Sequence, residues 1–392
     1  MKYVVFLPDG AADEPLAELS GKTPLEAAIH PNMDRLTRGI FGKARTVPVG
    51  MKPGSDNANL SVFGYDPLKY YTGRSPLEAA SLGIPLDLSD VTYRCNTVTL
   101  SVADRLEDAV MLDYSAGEID SSVSGELIAH MKPLIEQDEI ELHNGISYRH
   151  CLVLRNAKDG CKLTPPHDIT GKPVRDFLPA GQNSELLLSI MEKSYEELKK
   201  NAFGKANCLW FWGEGRKPAL TPYREKFGVK GAVISAVDLI FGIGVCAGLD
   251  VIKVPGATGN YTTDFAATGQ AAINAFKNGA EFVYIHVEAP DECGHHAQIR
   301  EKVWSVEQID EKIVGPVLSY LYSTGEPYKA LLMPDHPTPI RIMTHSPEPV
   351  PFALYQSGDC GDEKRFCENE AEKTGVFVSE AHTLAEKMFK SR

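Results

Sequence analysis

The chain has 392 residues, of which 43% are hydrophobic and 24% are charged, and its formal net charge is −13. These proportions exclude a disordered, collagen-like or coiled-coil chain, and the negative charge repels polyanions, so we expect no nucleic-acid partner. At about 150 residues per domain, the length predicts two or three domains.

The amino-terminal part of the chain predicts the first elements of an α/β fold. Tyr3 to Leu7 is a β-branched and aromatic run that ends at Pro8-Asp9-Gly10, as a buried strand does. Such a strand delivers Asp9 to the loop at its carboxyl end, where α/β folds hold ligands. Three elements are predicted next: a helix at about 24–38, a strand at 44–49 and a helix that opens at 54–60. Ser55 therefore lies at a predicted helix amino terminus.

After Tyr65-Asp66-Pro67 the pattern changes. Residues 91–102 alternate like a half-exposed strand, and further strands are predicted near 140, at 148–154 and at 209–212. Two amphipathic helices, at about 122–135 and 184–200, lie among these strands. Such a mixture is typical of a separate α+β unit. We therefore predict an inserted, smaller α+β domain at 91–224.

From Gly231 onward helices and strands alternate again. The predicted elements are a helix from about 236, a strand at 251–254, a helix at 263–278, a strand at 282–287, a helix at 302–321 and a strand at 330–333. Alternation of this kind is typical of a doubly wound α/β sheet. The sequence thus predicts a discontinuous α/β core, residues 1–90 and 225–392, interrupted by the insertion.

The sequence gives little indication of a membrane span or a secretory signal peptide. The apolar stretch around Ala232 to Leu249 is interrupted by Asp238 and falls short of the roughly 18 unbroken apolar residues that a membrane span needs. The amino terminus lacks the longer apolar region of a signal peptide. The eight cysteines are scattered without a Cys-x-x-Cys pair, which is typical of reduced thiols. We expect a cytoplasmic protein without membrane contact.

Acids and histidines follow several predicted strands. Asp291 and His295 are four residues apart, so one helical turn places both on one side, as a divalent-metal pair requires. Asp335 and His336 follow another strand, and His345 lies in the proline-rich loop beyond it. Each alone is equally well a turn residue, a loop histidine or a helix cap. If the strands are parallel neighbours, the set meets at one carboxyl edge with Asp9 and Ser55 and supplies ligands for two metals, which suits in-line phosphoryl transfer.

Ser55 is the candidate nucleophile. A hydroxyl that is bound to a cation at a helix amino terminus has its alkoxide favoured, and a phosphate on it is held by the helix. The alternative is an ordinary serine N-cap. The neighbouring metal set favours the nucleophile, because it supplies the activation that a serine hydroxyl otherwise lacks.

Motifs along nearly the whole chain resemble one family. They are Leu7-Pro8-Asp9-Gly10, Pro53 to Leu60, Gly64-Tyr65-Asp66-Pro67, Tyr71 to Ala80, His286 to Asp291 with Gly294-His295, and Pro334-Asp335-His336 with His345. Together they resemble the archaeal-type, cofactor-independent phosphoglycerate mutases of the alkaline phosphatase superfamily. The resemblance implies an alkaline-phosphatase-like doubly wound core that is interrupted by a substrate-binding domain.

The resemblance also implies a metal site and a reaction. A first metal set would match Asp9, Ser55, Asp335 and His336, and a second would match Asp291, His295 and His345. The ions would be two divalent cations, with Mn²⁺ preferred over Zn²⁺, Co²⁺ or Mg²⁺. Ser55 would take the phosphoryl group from 3-phosphoglycerate and return it to the 2-hydroxyl, so that no bisphosphoglycerate is needed.

This chemistry requires a cationic cradle for phosphate and carboxylate, which arginine supplies best. The candidates are Arg74, Arg94, Arg149 and Lys230, with His150 and His167 from the insertion as candidate proton carriers. A single arginine is more often a solvated surface group. Arg94 is the best candidate because it lies in the distinctive segment Tyr93-Arg94-Cys95-Asn96.

Three alternatives stay open beside a mutase. A homoserine kinase-like phosphotransferase would have to bind nucleotide without the Gly-x-x-x-x-Gly-Lys-Ser/Thr loop, which the chain lacks. In a phosphatase or phosphonate hydrolase, water would accept the group, and a large insertion that excludes water argues against it. A non-catalytic binding protein would more often have lost a ligand or the serine, whereas here all the matching positions are filled.

Overall fold

A computed structural model describes residues 1–200 and 203–390. The chain folds as two compact units, of which unit 1 comprises Met1–Tyr71 and Leu220–Arg392 and unit 2 comprises Thr72–Ala219. Unit 2 begins earlier than the insertion predicted at 91–224, because a helix at Ser75–Ser81 packs on the strands of that unit.

The described residues form strands in the following chain order. They are β1 (Lys2–Pro8), β2 (Ile40–Ala44), β3 (Val91–Leu100), β4 (Met111–Asp113), β5 (Ile140–Ile146), β6 (Arg149–Leu154), β7 (Cys161–Lys162), β8 (Ala180–Gly181), β9 (Cys208–Gly215), β10 (Gly231–Ser235), β11 (Asp250–Lys253), β12 (Phe282–Val287), β13 (Tyr328–Leu332), β14 (Val350–Gln356) and β15 (Phe377–Val378).

The α-helices follow the same order. They are α1 (Pro24–Ala27), α2 (Pro31–Leu36), α3 (Ser55–Val62), α4 (Pro67–Tyr70), α5 (Ser75–Ser81), α6 (Ser121–Ile135), α7 (Ser184–Leu198), α8 (Tyr223–Lys226), α9 (Asp238–Cys246), α10 (Phe265–Lys277), α11 (Ala289–His295), α12 (Ile299–Ile309), α13 (Gly315–Ser323), α14 (Glu368–Lys373) and α15 (Thr383–Phe389). Among the described residues, no helix is both long and apolar enough to cross a membrane.

Unit 1 is built around one eight-stranded sheet in the order β11-β10-β12-β1-β13-β14-β2-β15. Strand β1 runs parallel to β12 on one side and to β13 on the other, while β14 runs antiparallel to both of its neighbours. Residues of β12 and β13 are buried along their whole length, as expected for central strands that are covered on both faces. The predicted α/β class is confirmed.

Two predicted helices of unit 1 are interrupted. The helix expected at 24–38 is divided into α1 and α2, because Pro31 starts a new helix at its first position. The helix expected at 302–321 consists of α12, a π-helical segment at Asp310–Val314 and α13. Pro316 lacks the N–H that an uninterrupted α-helix needs, and a wider turn just before it accommodates that loss.

Two other predictions for unit 1 need correction. The strand expected at 44–49 lies at Ile40–Ala44, ahead of Pro48. The strands β10, β14 and β15 were not among the predicted elements.

Unit 2 is an α+β unit. Its antiparallel sheet has the order β4-β3-β6-β5, with β9 on β3, and helices α6 and α7 pack on β5 and β9. The core between these helices and the sheet contains Tyr93, Leu142, Met191 and Trp210, all of them buried. The predicted α+β character of this part of the chain is confirmed.

Candidate metal centre

Three parallel neighbours, β12, β1 and β13, present their carboxyl ends at one edge of the unit 1 sheet. Asp9 directly follows β1, Glu288 directly follows β12, and Asp335 and His336 come shortly after β13. Asp9, Asp335 and His336 are fully buried. Adjacent strand ends therefore bring together side chains that are hundreds of residues apart in the sequence.

One group of ligand atoms joins Asp291, His295 and His345. The Nε2 atom of His295 lies 3.2 Å from Asp291 Oδ2, and that of His345 lies 3.4 Å from Asp291 Oδ1. Helix α11 places Asp291 and His295 on one side, as their spacing predicted. The two Nε2 atoms are 2.9 Å apart, while Nδ1 of His295 is 3.0 Å from the carbonyl of Met343. A histidine whose Nδ1–H is held by a carbonyl offers the Nε2 lone pair to a cation.

A second group joins Asp9, Asp291 and His336, and Ser55 lies beside it. The hydroxyl of Ser55 is 3.2 Å from His336 Nε2. That nitrogen lies 3.3 Å from Asp335 Oδ2 and 3.8 Å from Asp9 Oδ1. All seven residues that the sequence indicated as metal ligands thus lie in one cluster at this edge.

Asp335 is held by several donors. Its Oδ1 accepts hydrogen bonds from the backbone N–H of Gly10, at 3.2 Å, and of His336, at 2.9 Å. Its Oδ2 accepts from the Asn59 amide at 2.8 Å. The same amide group donates to the carbonyl of Ser55, and Tyr284 donates its hydroxyl to Asn59 Oδ1 at 2.7 Å. Asn59 thus ties the helix that begins at Ser55 to Asp335.

Four carboxylates, those of Asp9, Glu288, Asp291 and Asp335, lie close enough to perturb one another. Burial and the charges of Asp335, Glu288 and Asp291 hold the pKa of Asp9 well above its usual value. Burial, with Asp291 and Asp335 next, raises the pKa of Glu288 to about 8. The structure pairs these groups with histidines. A cation would relieve this mutual repulsion.

One observation, independent of the clustering of ligand atoms, indicates that these residues suit divalent cations. Asp9 Oδ1 is buried, and no described residue donates a hydrogen bond to it. An unpaired buried carboxylate oxygen is costly unless a cation faces it. The histidines of the cluster also indicate a place for positive charge, because the hydrogen bond to Asp291 raises the pKa of His295 to about 9. A metal would take the place of that proton.

The sequence analysis missed four residues of this cluster. Glu288 and His286 lie next to Asp9, and Asn59 and Thr338 contact proposed ligands. The hydroxyl of Thr338 donates to Asp291 Oδ1. A histidine inside a buried strand and a threonine in a loop carry no distinctive signal. The strand-end rule that selected Asp9 would have selected Glu288 as well.

The predicted substrate arginines of unit 2 lie around one carboxylate. Glu78 pairs with Arg94 at 2.8 Å and with Arg74 at 3.0 Å. The Arg94 guanidinium also lies 4.1 Å from the centre of the Trp212 ring, and burial lowers the pKa of Arg94 to about 10. Arg149 is exposed at the start of β6, and its charge acts on both Glu78 and Arg94. Unit 2 therefore concentrates guanidinium groups around Glu78.

The two histidines of unit 2 differ in their surroundings. His150 is buried, accepts a hydrogen bond from the Gly145 N–H at Nδ1, and has its pKa lowered to about 3 by burial. Its Nε2 is buried and has no hydrogen-bond partner among the described residues, and its role as a proton carrier stays a prediction. His167 is partly exposed, and its ring packs edge-on against Tyr114 and Trp212.

Lys230 does not join the cluster. It lies exposed just before β10, and its backbone pairs with Glu281 and Phe282 at the amino end of β12. Because β10 and β12 are parallel, this is the sheet edge opposite the one that holds Asp9. The sequence offered Lys230 only as a basic residue and did not indicate which end of the sheet it would occupy.

Comparison with known proteins gives consistent names. A family model for 2,3-bisphosphoglycerate-independent phosphoglycerate mutase matches residues 37–203. A protein of that name from Methanothrix thermoacetophila is 47% identical over 98% of both chains. A probable one from Geobacter sulfurreducens is 46% identical over 99% of both.

Solved structures show the same fold. A protein from Pyrococcus horikoshii matches with a TM-score of 0.80 at 28% identity and covers 100% of this chain and 98% of its own. A cofactor-independent phosphoglycerate mutase from Thermoplasma acidophilum matches with a TM-score of 0.65 at 22% identity, over 99% of both chains.

Proposed function

Since the chain belongs to the 2,3-bisphosphoglycerate-independent phosphoglycerate mutase family, we propose that it interconverts 3-phosphoglycerate and 2-phosphoglycerate through a phosphoserine on Ser55. The observation that carries this proposal is the position of the Ser55 hydroxyl, 3.2 Å from His336 Nε2 beside two groups of ligand atoms. The reaction would serve glycolysis and gluconeogenesis, and its partner is a small phosphorylated substrate.

Two divalent cations would be held at this edge. Asp9, Ser55, Asp335 and His336 would hold one, and Asp291, His295 and His345 the other. Such a pair of cations stabilises charge on the attacking and leaving oxygens of a phosphoryl transfer. The mixed carboxylate and imidazole donors admit Mn²⁺, Zn²⁺, Co²⁺ or Mg²⁺, and Mn²⁺ is proposed on the resemblance to the family.

The chain's own groups then account for the two transfers. Ser55 Oγ gives up its proton and forms a bond to phosphorus, while the bond to the 3-oxygen of the substrate breaks and that oxygen takes up a proton. Of the first N–H groups of α3, that of Asn57 donates to Asp56 Oδ1 at 2.8 Å, and those of Ser55 and Asp56 are proposed to donate to the phosphoryl oxygens. In the second transfer the 2-oxygen of glycerate gives up its proton and bonds to phosphorus, while the bond to Ser55 Oγ breaks and that oxygen takes up a proton. The sum is an isomerisation, so bisphosphoglycerate does not take part.

Unit 2 supplies the groups that we propose to hold the substrate. Arg74, Arg94 and Arg149 suit its phosphate and carboxylate, since guanidinium groups bind both with paired hydrogen bonds. His150 and His167 are proposed as proton carriers for the reaction. Lys230 is left out because of its place at the opposite sheet edge.

A coupled assay tests the proposal. The Mn²⁺-loaded protein receives 3-phosphoglycerate without bisphosphoglycerate, and enolase reports the 2-phosphoglycerate that forms. We expect turnover that stops with a chelator and in Ser55→Ala. Release of inorganic phosphate in place of 2-phosphoglycerate would show that water is the acceptor, and no reaction from folded, metal-loaded protein would also contradict a mutase.

A further inference from the structure

Four aromatic side chains of unit 2 form a row that ends at two of the proposed substrate arginines. Neighbouring rings meet edge-on, with centroids 5.2 to 5.9 Å apart, in the order Tyr148, Tyr114, His167 and Trp212. The Arg149 guanidinium lies 5.5 Å from the Tyr148 ring centre at one end, and that of Arg94 lies 4.1 Å from the Trp212 ring centre at the other. We propose that Trp212 is a positioning residue that fixes the Arg94 guanidinium for an anionic group of the substrate. The inference rests on the proposed function, because it takes Arg94 as part of the substrate cradle.

Trp212 and Arg94 lie opposite each other on neighbouring strands. They are direct partners in the antiparallel pair of β9 and β3, so their side chains lie on the same face of the sheet. A guanidinium 4.1 Å from the centre of an indole ring is within stacking distance, where the negative face of the ring attracts the cation. Arg94 is 7% exposed, so little water weakens this attraction. Stacking on Trp212 therefore fixes the plane of the guanidinium.

A β-bulge beside Trp212 allows this close approach. The pairing of the two strands shifts between Thr92 and Arg94, because β9 has one residue more than β3 in that interval. Gly213 lies in the bulge with a φ of +64°, in the left-handed region that favours glycine. A Cβ atom on Gly213 would lie 3.3 Å from Cγ and Cδ of Arg94, which is closer than an ordinary contact. The glycine therefore leaves room for the Arg94 stem beside the Trp212 ring.

Trp212 is itself held in place. Its Nε1–H donates to Asn96 Oδ1 at 2.9 Å, and the Asn96 amide donates to the Tyr114 carbonyl at 3.0 Å. Asn96 is buried, and the His167 ring packs edge-on against the indole with a centroid distance of 5.2 Å. An indole that is held at its N–H and at its edge cannot turn without losing these contacts. Trp212 therefore gives Arg94 a rigid surface rather than an adaptable one.

Glu78 holds the same guanidinium at another point. Its Oε2 atom lies 2.8 Å from Arg94 Nε. With Glu78 at Nε and Trp212 over one face, the two terminal nitrogens are the part of Arg94 that a substrate would meet. These nitrogens form the fork that binds a carboxylate or a phosphate with paired hydrogen bonds. Because an oriented guanidinium loses less freedom when it binds an anion, Trp212 should act on substrate affinity rather than on phosphoryl transfer at Ser55.

A comparison of two variants tests the inference. Trp212→Leu removes the ring, whereas Trp212→Phe removes the indole N–H but keeps an aromatic face for Arg94. In the Mn²⁺-loaded, full-length protein we expect KM for 3-phosphoglycerate to rise roughly tenfold in Trp212→Leu and at most about threefold in Trp212→Phe, with kcat little changed in both. Calorimetry with 3-phosphoglycerate should show the same changes in the dissociation constant. Trp304→Leu is the matched control, because Trp304 lies partly exposed on α12 of unit 1, outside the aromatic row, and its loss should leave KM unchanged.

Other results overturn the inference. An unchanged KM in Trp212→Leu, or an equal rise of KM in both variants, would show that stacking on Trp212 does not position Arg94. A fall of kcat with KM unchanged would assign Trp212 a different role. Thermal unfolding checks that each variant is folded. If Trp212→Leu does not fold, Trp212→Met replaces it, with the same expected rise of KM.

The two readouts also separate this inference from the proposed function. If the unaltered protein binds 3-phosphoglycerate in the calorimeter but does not isomerise it, the proposed function is wrong, and the dissociation constants of the two variants still decide the role of Trp212. No binding by folded, Mn²⁺-loaded protein would contradict both.

Discussion

Both units collect charged side chains, but they balance the charge differently. In unit 2, Arg74 and Arg94 share the carboxylate of Glu78, so opposite charges within the chain meet. At the sheet edge of unit 1, the carboxylates of Asp9, Glu288, Asp291 and Asp335 lie together with histidines as their partners. Among the described residues, none donates a hydrogen bond to Asp9 Oδ1. Unit 2 therefore balances its charges within the chain, whereas unit 1 is arranged to be completed by cations. The predictions below test that difference.

The largest effect on turnover is expected from a substitution that removes the proposed nucleophile but leaves the charge of the metal-ligand cluster unchanged. Ser55→Ala removes the proposed nucleophile without changing the charge of the cluster. We expect turnover to fall roughly 10³-fold or more, since loss of a nucleophile removes the covalent route. Thermal unfolding, measured on the same preparation, should stay close to that of the unaltered protein, while the cation beside Ser55 should be bound more weakly because one proposed ligand is lost. Turnover near the original value would exclude a phosphoserine on this residue.

A second prediction concerns a charge pair in unit 1 that is balanced within the chain. Lys302 and Asp13 are buried and lie 2.7 Å apart, and Lys302 also donates to the Thr338 carbonyl at 2.8 Å. Lys302→Met leaves the buried Asp13 carboxylate with backbone donors but without its counter-charge, so the free energy of unfolding should fall by about 3–5 kcal/mol. Denaturant unfolding measures this.

The double variant Asp13→Leu with Lys302→Met is the control. It removes both charges, so it should recover part of the loss. A single Lys302→Met variant as stable as the unaltered protein would mean that the pair contributes nothing. Because Thr338 contacts Asp291, the single variant should also bind Mn²⁺ more weakly.

A smaller effect is expected in unit 2. Arg94→Met removes one partner of Glu78 and the proposed contact with the substrate anion. We expect KM to rise roughly tenfold, which is about the value of one charge-assisted hydrogen bond, while the Mn²⁺ count stays the same. Arg105→Met is the matched control, because Arg105 is an exposed arginine paired with exposed Glu107. An unchanged KM in Arg94→Met would remove Arg94 from the substrate cradle.

The smallest effect is a pH dependence, and its sign should differ between the units. In metal-free protein the pKa of Glu288 is raised to about 8, mainly by burial, and that of His295 to about 9, mainly by Asp291. An acid whose pKa is raised by folding destabilises the folded protein once the pH forces it to ionise. A histidine whose pKa is raised stabilises the folded protein only while it keeps its proton. Both effects therefore reduce the free energy of unfolding as the pH rises toward 9. The melting temperature should fall by a few degrees between pH 6.5 and pH 9.

Mn²⁺ and acid supply the contrasts for this prediction. Mn²⁺ replaces protons in the cluster, so it should flatten the dependence above pH 6.5. Although burial opposes it, the charges of Arg94 and Arg74 lower the pKa of Glu78, so this group stabilises unit 2 above its unfolded pKa and loses that effect as the pH falls below it. A metal-free melting temperature that rises toward pH 9 would contradict the account of unit 1.

The sequence was informative where structure is local. The spacing of Asp291 and His295 predicted that both lie on one helical turn. The short apolar run that ends at Pro8 predicted a strand that stops just before Asp9. Ser55 was placed at a helix amino terminus from the small polar residues around it, and α3 begins there. These features depend on residues a few positions apart, so the local pattern specifies them.

The tertiary structure alone decided which distant groups meet. Strand order brought His286 and Glu288 beside Asp9, and the direction of β10 placed Lys230 at the far edge of the sheet. The pairing of Arg94 with Glu78 depends on the packing of α5 against β3. Neighbours in a sheet are chosen by topology and by the burial of whole strands, which no short stretch of sequence specifies. The sequence by itself therefore determined the kinds of group that the site uses, and the fold decided their number, their partners and their balance of charge.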